Sequence, residues 1–199
     1  WKKPSYMWYA HPARNIRFFL AHFLLSGAVT SVKSAYPYVN NKTHVIGQGI
    51  DTLRFIPGGK HTEKSVKLLS LGRISPMKHI DLLLQAVKKL RDAGRDVTAT
   101  IVGAPGDHDA TYYEEQRAFV KEHNLSDAVT FTGKIPNVET PAIYRAHDIF
   151  VSLTKIGFFD KTTLEAMASE VPIVVANAAF KQILPEAYRD TVMFNNTDI

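Results

Sequence analysis

Apolar positions along this chain alternate between two rhythms. From residue 66 onward, short strand-like segments recur: Val66–Leu71, Val97–Val102, Val129–Thr132, the apolar run Ile149–Leu153, and Val171–Ala176. The last, almost wholly apolar, suits a strand buried in a parallel sheet. Between them lie stretches with apolar residues every three or four positions. Residues 79–93 place Ile80, Leu83, Leu84, Val87 and Leu90 on one face and stop at Gly94. Helices are also predicted at about 110–123, at 139–146 and over Thr162–Ala168, where Leu164, Met167 and Ala168 share a face. This alternation predicts right-handed β-α-β units: an α/β, Rossmann-like doubly wound parallel sheet with helices on both faces.

Before residue 66 the pattern is less regular. Tyr6–Ala10 predicts a short aromatic strand ended by His11 and Pro12. Arg14–Ser26 carries Ile16, Phe19, Leu20, Phe23 and Leu24 at helical spacing, with Gly27 as its stop. Ala28–Val32 and Thr43–Ile46 predict two further strands. Lying between strands, the helix is expected to pack its apolar face on a sheet. Its basic, aromatic character is also compatible with a peripheral membrane contact. Pro57, Gly58, Gly59, Lys60 and His61 form the strongest linker signal.

Composition narrows the function classes. The 199 residues suffice for one substantial α/β domain, or a domain with part of another. Without cysteine, disulfides, thiolate catalysis and zinc–thiolate sites are excluded. The eight histidines show no paired ligand spacing, so no metal site is expected. The net charge of +5 suits an anionic ligand, but its 24 Lys and Arg are dispersed rather than blocked, which argues against nucleic acid. No stretch approaches the roughly 20 apolar residues of a membrane span. Trp1 in place of a start methionine, and an end without a closing helix, lead to the expectation of a piece of a longer protein.

In doubly wound sheets the ligand lies at the carboxyl ends of the strands. Here those ends carry Gly72 and Arg73, Gly103, Gly133 and Lys134, and Lys155 to Gly157. Arg73 and Lys78 flank one strand-to-helix loop and can grip a diphosphate from two sides, the first as a fork and the second as a point charge. The start of helix 162–168 offers unpaired N–H groups, a seat for phosphate, with Glu165 beside it. No Walker-type or dinucleotide-type glycine loop is present, which lowers nucleotide-hydrolase and dehydrogenase readings. Tyr112 and Tyr113 either pack at a helix start or flank a base; Asp107 and Asp109 read as caps.

These residues carry a resemblance. Gly47 to Asp51 with Phe55 to Pro57, Leu71 to Lys78, Ile101 to Gly103, Val129 to Gly133, Ala146 to Ser152, and Leu164 to Val175 resemble, in order and spacing, the blocks of retaining GT-B glycosyltransferases of family 4. The match runs over roughly 43–190. The resemblance implies an acceptor-domain remnant over 1–45 and a truncated nucleotide-sugar donor domain over 46–199. It further implies a metal-independent, retaining hexosyltransferase, inactive as this piece alone. No cofactor is implied beyond the donor, a UDP- or GDP-linked sugar; the acceptor is a hydroxyl of a glycan, lipid or other molecule, and the location is cytoplasmic.

Carried over by position, Arg73, Lys78, Thr162 and Thr163 hold the diphosphate, Glu165 the ribose, and Gly133, Lys134 and Ile135 the base. His11 resembles the acceptor-side histidine beside the transferred sugar, although a lone histidine after a strand also has a structural reading. One departure stands out. The family's sugar-reading glutamate, seven residues before the second, falls at Gly157. The sugar is then left to Gly157, Phe158, Asp160 and Lys161, with Asp160 or Lys161 contacting sugar or diphosphate instead. Two alternatives stay open: a nucleotide-sugar epimerase and a non-catalytic nucleotide-sugar-binding module.

Overall fold

Side chains of a strand point alternately to its two faces, so strands apolar throughout need cover on both. The computed structural model describes residues 3–59, 64–155 and 159–194. It contains two parallel sheets. The first has three strands in the order β1 (Tyr6–Trp8), β2 (Gly27–Thr30), β3 (Thr43–Val45), with helix α1 (Ile16–Leu24) between β1 and β2.

Two expectations for this segment are corrected. Gly27 does not end α1, which stops at Leu24; it opens β2, beneath the Tyr6 ring, where a β-carbon would lie 2.6 Å from Tyr6 Cε1. The stripe Ile16, Phe19, Leu20, Phe23 and Leu24 faces outward, Leu24 being 83% exposed. The docked face instead carries Phe18 and His22. Phe18 packs with Tyr9, Tyr36 and Tyr38, while His22 Nδ1 meets Tyr36 Oη at 2.7 Å and Asn40 Nδ2 donates to His22 Nε2 at 2.9 Å. Ring packing and a buried polar network set the orientation of α1, not its longest apolar stripe.

The second sheet is built from β4 (Val66–Leu71), β5 (Val97–Val102), β6 (Val129–Gly133), β7 (Ile149–Ser152) and β8 (Ile173–Val175). Helices α2 (Ile80–Asp92), α3 (Ala110–Glu122), α4 (Thr140–Arg145), α5 (Lys161–Ala168) and α6 (Glu186–Val192) complete the unit. Leu69, Val102 and Phe150 enter one core cluster, while their neighbours Leu68, Ile101 and Val151 enter another. Both faces are therefore covered, as the apolar runs require. Leu83, Leu84 and Val87 of α2 are buried in the second cluster, each worth roughly 1.5–3 kcal/mol. Val32 and Ala35 join the first cluster and tie the N-terminal segment to the larger sheet.

The strand order is β6-β5-β4-β7-β8. From β4 the chain steps outward through β5 and β6, then returns to the other side of β4 for β7 and β8. Loops after β4 and β7 thus leave in opposite directions, and a crevice opens between them at the strand ends. Arg73 and Lys78 follow β4; Asp160 and α5 follow β7. The topology brings these groups together.

Candidate functional site

Close contact between strand ends forms the floor of the site. Gly72 and Gly103 have φ of 143° and 141°, and a β-carbon on Gly103 would lie 1.8 Å from the Gly72 carbonyl oxygen. Only glycine fits such an approach. Gly103 N–H donates to the Gly133 carbonyl at 2.9 Å, which joins the β5 and β6 ends as well. Above this floor lies an open cleft of about 570 Å³, lined by Arg73, Gly103 to His108, Lys134, Ile135 and Thr140. Lys134 and Ile135 of the expected base-binding group face it directly; Gly133 contributes through its strand-end bond.

A second cleft of about 240 Å³ is lined by Arg73, Ser75, Met77, Lys78, Thr154, Asp160 and Asn177. Arg73 belongs to both. Its side chain is 67% exposed, with Nε 3.8 Å from Asp109 Oδ2. Asp109 stands at the α3 N-terminus but makes no side-chain cap; its Oδ2 accepts from Gly106 N–H at 3.3 Å and faces Arg73. The expected cap is therefore an acidic neighbour of Arg73. Tyr112 packs rather than facing a base: its hydroxyl donates to Asp81 Oδ1 at 2.8 Å, and Tyr113 packs edge-on against Phe131.

At the head of α5 the expectation changes most. Asp160 is the N-cap, and its Oδ1 accepts from Thr162 N at 3.3 Å and Thr162 Oγ1 at 2.8 Å. Its Oδ2 accepts from Lys78 Nζ at 2.7 Å and Ser152 Oγ at 3.0 Å. Two carboxylate oxygens offer about four acceptor positions, and all four are used. Burial alone would raise the Asp160 carboxyl; the Lys78 charge and hydrogen bond, with those of Thr162 and Ser152, outweigh it and hold the group below the usual carboxylate range.

Four of the expected site residues are engaged within the chain here. Asp160 has no acceptor capacity left for sugar hydroxyls. Thr163 is 0% exposed, and its N–H donates to the Asp160 carbonyl at 3.2 Å. Thr162 N–H is likewise engaged by Asp160, so the anion seat of α5 is already filled by the chain's own carboxylate. Lys161 turns along its helix, with Nζ 3.9 Å from Glu165 Oε1, rather than toward the clefts.

Glu165 is 4% exposed and lines neither cleft. The Tyr144 hydroxyl, itself fully buried, lies 3.1 Å from Glu165 Oε2 and 2.9 Å from the Thr162 carbonyl. Burial pushes the Glu165 carboxyl up, and the Tyr144 bond and the nearby Lys161 and Arg54 charges only partly offset it. His11 lies on the exposed stretch after β1, its Nδ1 accepting from Ala13 N–H at 3.0 Å, while adjacent Ala10 packs on the first core. Gly157 and Phe158 lie outside the described residues. Among the described residues, no group of three or more His, Asp or Glu is placed to hold a metal ion.

Sequence reasoning missed the Lys78–Asp160 pair, the Asp109 contact and Tyr144. A signal existed for the first: aspartate just ahead of Thr162 at a helix start is an N-cap pattern. Nothing in the sequence linked Tyr144 to Glu165 across the fold.

The family model described as glycosyl transferases group 1 matches residues 52–190. Mannosylfructose-phosphate synthase of Agrobacterium fabrum is 33% identical over 146 residues, covering 66% of this chain and 32% of that protein. The lipopolysaccharide core biosynthesis mannosyltransferase LpsB of Rhizobium meliloti is 33% identical over 166 residues, covering 77% of this chain and 46% of its own length. The chain thus spans less than half of either relative. Among solved structures, Anabaena HepE in complex with UDP and glucose superposes with a TM-score of 0.77 at 18% identity, over 92% of this chain and 56% of that one. The C-terminal domain of LpcC from Francisella tularensis gives 0.60 at 26% identity, over 69% and 76%.

Proposed function

We propose, because this chain belongs to the glycosyl transferases group 1 family, that its larger sheet is the donor-binding half of a GT-B glycosyltransferase. The substrate is a nucleoside diphosphate sugar, UDP- or GDP-linked, and the sugar passes with retention to a hydroxyl of a glycan, lipid or other acceptor. One observation carries this reading: Arg73 stands between two adjoining clefts at the switch point of the sheet. The larger cleft takes the nucleoside, with Lys134 and Ile135 at its wall. The smaller takes the phosphates, with Arg73 and the outward face of Lys78 as cations. Fixed cations placed where charge develops on the leaving diphosphate stabilise it without reorganisation, which removes the need for a metal.

The three-stranded sheet is then the end of an acceptor half, and His11 reaches the cleft between halves. Chemistry of this kind needs both halves around the substrate, so this stretch alone is inactive. Among the described residues no helix is long and apolar enough to cross a membrane. We place the protein in the cytoplasm with peripheral membrane contact through α1. Residues 1–50 carry six Lys and Arg and no Asp or Glu, and the α1 stripe is exposed. Co-sedimentation with anionic vesicles, abolished by Phe23→Ser, tests that contact; equal binding to neutral vesicles refutes it. Calorimetric titration with UDP and GDP tests the donor site, and absence of binding to both overturns it.

A further inference from the structure

The loop where the family carries a sugar-reading carboxylate has glycine at that position, and its nearest carboxylate, Asp160, turns inward. It joins three elements that meet at the switch point. Ser152 is the last residue of β7, Thr162 lies in the first turn of α5, and Lys78 ends the turn Pro76–Lys78 after β4. Lys78 is held on its other side by the Gly72 backbone, where an added β-carbon would lie 3.1 Å from Lys78 Cε. A lysine on a loop ordinarily loses rotamer freedom when it meets a ligand. Here that freedom is already gone. The ammonium has three N–H donors, Asp160 takes one, and the side chain remains 21% exposed on the smaller cleft.

Resting on the donor-site reading above, we propose that Asp160 is a positioning residue for the diphosphate, acting through Lys78. It fixes the ammonium with two donors facing the cleft. It is not a reader of the sugar.

This makes a prediction of unusual sign. Counting charges, removing a carboxylate beside an anion site should tighten anion binding. If Asp160 positions Lys78, removing its charge should weaken it. Asp160→Asn keeps the shape and an oxygen that caps α5 nearly as well as aspartate. We expect its affinity for whichever of UDP and GDP the wild type binds to fall at least about tenfold, the scale of one charge-assisted contact. Binding of the matching nucleoside, uridine or guanosine, followed by ligand-observed NMR, should not change. In a Lys78→Met background, Asp160→Asn should have no further effect on diphosphate binding. Ser152→Ala, which removes one of four bonds and leaves the ion pair, should lower diphosphate affinity by about two- to threefold, and remains readable should Asp160→Asn fail to fold.

Unchanged or tighter diphosphate binding by Asp160→Asn overturns the proposal. So does an equal loss in the Lys78→Met background, which would make Asp160 a cap of α5 only. Equal loss of nucleoside binding does the same. Failure of the donor-site reading shows separately, as wild-type protein that binds neither UDP nor GDP, and it takes this proposal with it.

Discussion

Tyr144→Phe removes a single oxygen from the interior. Tyr144 is fully buried, and its hydroxyl oxygen lies 3.1 Å from Glu165 Oε2 and 2.9 Å from the Thr162 carbonyl oxygen. The phenylalanine ring keeps the contacts with Phe55 and Phe150, so the loss is polar rather than a cavity. A buried carboxylate oxygen left without its donor costs about 1.5–3 kcal/mol. For a chain of this size that lowers Tm by roughly 3–12 °C. The pH dependence follows from Glu165. Burial raises its folded carboxyl above the usual range, and the Tyr144 bond is the chief opposing contribution. Without that bond the folded carboxyl rises further. A group raised in the folded state binds more protons there than in the unfolded chain. The variant therefore recovers stability, relative to wild type, as pH falls through the raised value toward the unfolded one. Calorimetric unfolding at pH 7 and near pH 5 should show a smaller deficit at the lower pH. In a double-mutant cycle with Glu165→Gln the two losses should not add. A deficit below about 0.5 kcal/mol, or one that does not change with pH, would refute the Tyr144–Glu165 linkage.

Two further outcomes follow from the packing. Phe18→Ala should cost about 3–5 kcal/mol, because it empties the aromatic cluster that docks α1. Phe23→Ser, on the exposed stripe of the same helix, should stay within about 0.5 kcal/mol of wild type by urea unfolding; the reverse ranking would mean the helix docks by its apolar stripe. Gly103→Ala, whose β-carbon would meet the Gly72 carbonyl at 1.8 Å, should fail to fold or lose at least about 3 kcal/mol, with nucleoside binding lost as the β4 and β5 ends separate. Wild-type stability in that variant would contradict the strand-end contact.

The parallel sheet was legible because a strand such as Ile149–Ser152 is apolar on both faces, Phe150 entering one core cluster and Val151 the other. The site was legible in part, since Gly72, Arg73, Lys134 and Ile135 follow strands whose ends must converge once the order reverses at β4. What stayed hidden depends on pairs far apart in sequence. Nothing near Lys78 announces Asp160, and the helix start at Thr162 reads as an empty phosphate seat until Asp160 is seen filling it. The α1 stripe misled for a related reason. Helical periodicity reports which residues share a face, not which face the neighbouring tyrosines accept.

The central claim is that the crevice at the switch point binds a nucleoside diphosphate through Arg73. Isothermal titration of the wild type and of Arg73→Ala with UDP and GDP measures this most directly. The account predicts binding of at least one of them by the wild type, and a loss of at least about tenfold in the variant. No binding to either, or equal binding by both proteins, would contradict it.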